Sequence, residues 1–223
     1  MSTLVVYSDT TDGYIGSADV GASPSYAAAR AGTGSVLDAY AGIELTFGQQ
    51  FTTSGDPDYI PDYDIYESFL AFNTSSIPDT DTVSAAVLNL RSLYDHSTTD
   101  FTIEARLYDW GTGLTTADYV AGASLSALTL LAHRDTASGW TVNTAYDLTD
   151  DAFAANVSKT GTTRLLLCSS RTTGNNTPTT YEQGSAYSAD QTGTTSDPKL
   201  TVTYSSSYDP NVPGATQAMM GMV

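Results

Sequence analysis

Four aspartates, Asp56, Asp58, Asp62 and Asp64, fall within residues 52–64 (TTSGDPDYIPDYD), interleaved with Tyr59 and Tyr63. Carboxylates at this density in a loop suit a hard cation such as calcium, which takes about six to eight oxygens and accepts backbone carbonyls to complete its shell. Asp79 with Asp81, and Asp150 with Asp151, are thinner alternatives. No segment has the spacing of an EF-hand loop, and aspartate equally suits the turns of a loop-rich β protein.

A second chemistry is sugar binding, which uses aromatic faces flanked by polar groups. Tyr59, Tyr63, Tyr181, Trp110 and Trp140 lie in or beside expected loops and are the candidates. The two tryptophans also stand at strand ends, where indoles plug the open ends of a core. Catalysis finds less to work with. His96 and His133 are the only histidines, and the single cysteine, Cys168, lies in the apolar run 163–170, so a zinc cage has too few ligands. There is no Gly-x-Ser-x-Gly elbow and no Walker lysine. Among the 25 acids some pair will stand at a glycosidase separation in any fold, so pairing alone decides nothing. Glu67 and Glu104 are placed on strands, but each alternates with apolar neighbours and is expected to face solvent.

The elements that must position these groups read as strands. In residues 65–94 (IYESFLAFNTSSIPDTDTVSAAVLNLRSLY), Ser68, Leu70 and Phe72 share one face, and Ala86, Leu88 and Leu90 share one face of the next run. That is a period of two, and the Asn/Thr/Ser/Pro link is too long for a two-residue hairpin. Ile43, Leu45 and Phe47 alternate in the same way, as do Phe101, Ile103, Ala105 and Leu107. Arg164–Cys168 is nearly continuous in apolar character and is the expected central strand, with Leu166 in the core. Leu200, Val202 and Tyr204 close the pattern. Residues 27–30 (AAAR) are too short to claim as a helix, residues 125–131 mix the two periods and favour a strand, and residues 178–195 read as a long polar run. A helical turn capped by Thr115 or Thr116 and a short helix within residues 150–158 complete the reading. With no long helices between strands, the expectation is all-β: an antiparallel jelly-roll β-sandwich over residues 1–204 with at most one or two short helices. Residues 205–223 form a Ser/Pro/Gly linker ending in an apolar tip, Met219, Met220, Met222 and Val223, suited to docking on a neighbouring subunit.

Charge narrows the partners. Lys and Arg number 8 against 25 Asp and Glu, a formal net charge of −17, and such a surface repels phosphate backbones, which argues against nucleic acid. One cysteine allows no intrachain disulfide. The N-terminus MSTLVVYSDTTDG has no basic region and no long apolar core, and no stretch approaches a membrane span, so the expectation is no membrane partner and, if the chain starts at Met1, assembly inside a cell, a secreted origin staying open if it starts upstream.

The stretch Glu67-Ser68-Phe69-Leu70-Ala71-Phe72-Asn73, followed by Thr74-Ser75-Ser76-Ile77-Pro78 and Val83-Ser84-Ala85-Ala86-Val87-Leu88-Asn89-Leu90, resembles the DNRLRE-type jelly-roll domain. Asp12-Gly13 after the opening strand, Trp110 before a variable segment, and the Pro-x-Leu-x-Val-x-Tyr close at residues 198–204 fit the same pattern. Glu67 stands where the family has arginine, and Asn73 where it has aspartate. The family is similar to carbohydrate-binding modules and to domains of bacteriophage structural proteins. The resemblance implies a non-enzymatic structural protein on the virion exterior, a capsid decoration protein that forms a homo-oligomer and contacts the major capsid or another virion protein. The alternative it implies is a carbohydrate-binding module recognising a cell-surface glycan, with glycoside hydrolysis behind both.

Overall fold

The computed structural model describes residues 1–53 and 60–205. The strands, in chain order, are β1 (Ser2–Tyr7), β2 (Gly13–Val20), β3 (Val36–Tyr40), β4 (Glu44–Thr52), β5 (Asp62–Asn73), β6 (Thr82–Asp95), β7 (Thr102–Leu107) and β8 (Leu130–Asp135). They continue with β9 (Ala145–Asp147), β10 (Thr149–Asp150), β11 (Thr162–Ser169), β12 (Tyr181–Tyr187) and β13 (Lys199–Ser205). Every pairing is antiparallel, and the order runs β1-β13-β6-β12-β4-β5-β11-β7-β8-β10, with β2 on β5, β3 on β2 and β9 on β6. The fold is therefore all-β, a curled antiparallel sheet that closes on itself as a sandwich of the jelly-roll kind.

The curl is driven by the two alternating runs. Leu70 and Phe72 on β5 and Leu88 and Leu90 on β6 are all fully buried and join one core cluster, together with Phe47, Trp140, Leu200 and Val202. Removing one such side chain from water contributes about 1.5–3 kcal/mol, enough to oppose the ordering of a long central strand. Tyr204 packs half-buried against the same cluster. Leu166 is buried too, but on the other side of the sheet. It joins Ile15, Phe69, Ala71, Trp110, Val120, Leu125 and Cys168 in a second cluster, beneath the chain that links β7 to β8. β5 and β11 are thus covered on both faces, which is why Arg164–Cys168 lacks alternation; β11 sits between β5 and β7 as a central strand.

Three expectations about helices change. Among the described residues there are four short α-helices, not one or two: α1 (Tyr26–Ala31), α2 (Gly122–Leu125), α3 (Phe153–Asn156) and α4 (Ser170–Thr173). α1 forms although six residues cannot hold a helix alone. Ser25 caps it by accepting the Ala28 N–H, Gly32 ends it at φ 69°, and Arg30 ties its end to the carbonyls of Gly122 and Thr172. Residues 125–131 mix periods because they are two elements, the last residue of α2 and the start of β8, and not one strand. The turn at Thr116–Asp118, with its Thr115/Asp118 capping box, and the short helix α3, which carries Phe153 into the core, fall where the sequence puts them.

The polar run 178–195 also contains a strand that the sequence did not show, β12. Its core face carries Gly184 and Ala186 in place of large apolar residues. A Cβ at Gly184 would stand 3.2 Å from the indole nitrogen of Trp140, so the tryptophan fills the space a larger side chain would take.

Candidate functional site

The registers of β5 show where the sheet opens. β2 pairs with Asp62–Phe69, β4 with Asp62–Tyr66, and β11 with Ser68–Asn73. Since β2 overlaps both of the others, β4 and β11 share the opposite edge of β5 and part at Glu67. Beyond Ser68 the face bearing Leu70 and Phe72 is sealed by β6. Before it, the same face carries Tyr66, and its β2 neighbour Tyr14, into a groove of about 170 Å³.

Tyr14 and Tyr66 form one wall, with ring centroids 6.1 Å apart in an edge-on arrangement, and Tyr40 stacks on Tyr14 at 4.8 Å. Glu44 and Thr46 on β4 line the floor, the Thr46 hydroxyl donating to Glu44 Oε1. Gln183, Gly184 and Ser185 on β12 and the exposed His96 just past β6 complete it. His96 is held by its backbone N–H to the Gln183 carbonyl, and its ring lies 5.4 Å from Tyr94. Two polar atoms of the β12 side, Ser185 Oγ on a side chain 1% exposed and Gln183 Oε1, have no hydrogen-bond partner. Burial raises the pKa of both groove tyrosines, with the neighbouring Glu44 adding to the effect at Tyr14 and Asp64 at Tyr66. Their hydroxyls therefore stay protonated and can donate. The groove thus offers aromatic surface, hydroxyl donors, an amide, an imidazole and one carboxylate.

Of these groove residues only His96 was weighed from the sequence, as a metal or catalytic histidine and not as part of a binding groove. They come from five strands or their flanks, and no local motif gathers them. The candidates themselves are placed elsewhere. Asp56, Asp58 and Tyr59 lie outside the described residues, as do Met219, Met220, Met222 and Val223. Tyr63 stacks on Phe51 at 4.4 Å and tilts against Tyr26. Tyr181 is exposed at the start of β12 and is not part of the groove's lining. Trp110 and Trp140 are only 4% and 2% exposed, and their indole N–H groups donate to the carbonyls of Leu70 and Tyr94. Buried rings present no face to a ligand, so these two correct the platform reading.

The carboxylates are likewise redistributed. Glu67 does not face solvent: it is fully buried under the second cluster, its Oε2 accepts the Val120 N–H at 3.0 Å, and its Oε1 has no partner. Burial pushes its pKa up to about 8. Glu104 is also covered, ion-paired with Arg106 at 2.8 Å and accepting from Thr173. Asp64 on β5 takes the Gln50 amide at 2.6 Å, and burial pushes its pKa to about 6, with Asp62 adding repulsion. Asp150 caps Phe153, and Asp151 pairs with His133 at 2.6 Å. The carbonyls of Asp79 and Asp81 accept from the Lys159 ammonium, a cation already in place. Among the described residues no three His, Cys, Asp or Glu side chains converge as a ready metal cage. Cys168 is fully buried, and burial raises its thiol pKa well above the ordinary value.

No protein-family model matches the chain, and no curated protein matches it.

Proposed function

We propose that the chain is a non-enzymatic recognition and display module that binds a polar saccharide in the Tyr14/Tyr66 groove. The observation that carries the reading is the groove's lining: tyrosine hydroxyls and ring edges beside Thr46, Gln183 and His96, with the Ser185 hydroxyl and the Gln183 side-chain Oε1 left unpartnered. Buried polar atoms want partners, and the hydroxyls of a sugar, which both donate and accept, supply them while its C–H face lies on aromatic surface. A neutral or amino sugar suits Glu44 and a net charge of −17 better than a uronate does. Hydrolysis finds little support, because both glycosidase mechanisms need two carboxylates flanking the bond and Glu44 is the one carboxylate in the groove's lining.

The test is binding of the purified protein to immobilised bacterial surface polysaccharides and neutral oligosaccharides. Tyr14→Ala and Ser185→Ala are expected to weaken binding by roughly tenfold or more, about 1.4 kcal/mol, with an unchanged thermal midpoint. Equal binding by the folded variants sinks the reading.

The setting we propose for this module is the exterior of a phage particle, as a homo-oligomeric decoration protein contacting the capsid or another virion protein. What supports it is the resemblance of residues 67–90 to the DNRLRE-type domain, the acidic surface and the methionine-rich terminus. Deleting residues 206–223 is expected to abolish incorporation into particles while leaving the sandwich folded. Incorporation of the truncated protein at the normal level removes the docking role.

A further inference from the structure

The chain has 8 Lys and Arg, and most of them are already engaged. Arg106, Arg164 and Arg171 form ion pairs, while Arg30, Arg134 and Lys159 donate to backbone carbonyls. Arg91 and Lys199 make no ion pair or side-chain hydrogen bond among the described residues. Both stand on the outward face of the sheet, opposite the one that carries Leu88, Leu90, Leu200 and Val202 into the core. Residues directly opposite in an antiparallel pair share a face, with about 4.5–5.5 Å between their Cβ atoms. The registers set Tyr7 opposite Lys199, Lys199 opposite Asn89, and Asn89 opposite Asp147. One row thus crosses β1, β13, β6 and β9 in the order ring, cation, amide, carboxylate. Its last step is a hydrogen bond, the Asn89 amide donating to Asp147 Oδ1 at 2.7 Å. Arg91 follows Asn89 on the same face of β6. Val5 and Tyr7 are 48% and 40% exposed, and the other outward positions of β1, β13 and β6 from Thr82 to Arg91 are small or β-branched, with no acid among them.

Two bodies that each carry a formal net charge of −17 repel over most of their surfaces. They approach at least cost where acids are absent and cations are unengaged, which is this face. The row is also self-complementary. Asn89 lies at its centre, with Lys199 on one side and Asp147 on the other. A two-fold axis parallel to the strands above Asn89 exchanges the two sides, setting Lys199 of each copy against Asp147 of the other. We propose that the outward face of β1, β13, β6 and β9 receives a second copy of this chain across a two-fold axis, held by reciprocal Lys199–Asp147 ion pairs. Arg91 is long enough to reach the same carboxylate from its place beside Asn89. The flat rows of small and β-branched residues let two sheets stack about 10 Å apart. A polyanion fits less well, because Asp147 is part of the row and the whole chain's charge opposes it. A patch of four short strands falls at the small end of specific interfaces, so the isolated dimer is weak, with a Kd on the order of 10 μM, and repetition in a larger assembly firms it. The proposal rests on the homo-oligomeric part of the reading above and uses none of the groove's lining residues.

The experiment is sedimentation velocity of the full-length protein at concentrations spanning that dissociation constant, in low and in high salt, with folding checked by circular dichroism. Wild type is expected to dimerise, less tightly as salt screens the pairs. Lys199→Asp and Asp147→Lys are each expected to weaken dimerisation by roughly tenfold or more, because the two-fold axis makes every reversal count twice. The double reversal, which restores opposite charges, is expected to return to within about threefold of wild type. Glu44→Gln in the groove is expected to leave the dimer intact. The proposal is overturned if folded wild type stays monomeric throughout, or if it dimerises only once residues 206–223 are deleted, which would make the chain's own terminus the occupant of the face. It is equally overturned if the dimer survives either single reversal or if the double reversal fails to restore it. A dimer that survives both reversals still leaves the homo-oligomeric reading standing, and saccharide binding is read separately on the groove variants.

Discussion

Glu67→Gln is expected to make the protein more stable at neutral pH and to flatten its stability profile. The wild-type carboxyl is fully buried with one oxygen unpartnered, and burial raises its pKa from 4.5 to about 8 in the folded chain. Between those values the unfolded chain releases the proton while the folded chain keeps it, so folding takes up a proton. Stability then falls as pH rises, by about 1.4 kcal/mol per pH unit, and levels off above about pH 8. From 4.5 to neutrality the loss amounts to roughly 3 kcal/mol. Glutamine has the same shape, keeps an oxygen for the Val120 N–H and is neutral throughout. The two proteins should therefore have similar stability near pH 5 and diverge to a difference of about 3 kcal/mol at pH 7. The assay is urea unfolding of both proteins from pH 5 to pH 8. Asp12 and Asp64 also have raised pKa values, so each profile alone is composite, but the difference between the two isolates Glu67. Parallel profiles across the range would refute the assignment of a buried, protonated Glu67.

Two further outcomes test the packing. Leu70→Ala should destabilise the fold by about 3 kcal/mol through lost burial and a residual cavity, read as a lower urea midpoint at unchanged slope; a cost below about 1 kcal/mol would mean that the β5–β6 interface is not the centre of the core. Gly48→Ala should cost more than about 2 kcal/mol, since Gly48 sits at φ 119° and a Cβ there would stand 2.4 Å from the Glu182 carbonyl oxygen; near-wild-type thermal stability in that variant would contradict the backbone geometry beside the groove.

How far the sequence could be read depends on which neighbour each residue meets. Leu70, Phe72, Leu88 and Leu90 announce their strands because alternation is a property of the strand alone, and one buried face suffices to produce it. Glu67 belongs to the other face of β5, where a carboxylate between apolar neighbours normally signals solvent. Only the chain between β7 and β8 folding over that face, with Trp110, Val120 and Leu125, makes it interior. Phe69 and Ala71 were the available hint, since a large apolar residue has little reason to stand on a wet face. β12 was hidden for the opposite reason: Gly184 leaves room for Trp140, and a strand whose core positions are filled by a distant side chain shows no apolar period of its own.

The sequence by itself determined the antiparallel all-β class, the acidic surface and the identity of most core positions, because these depend on side-chain type and on a repeat of two residues. Tertiary structure alone decided the rest. Tyr14, Glu44, Tyr66, His96 and Ser185 line one groove, although they are not close in the chain. A site of this kind is written in strand register and in where β4 and β11 separate, and those are set by packing between segments, to which local spacing is blind.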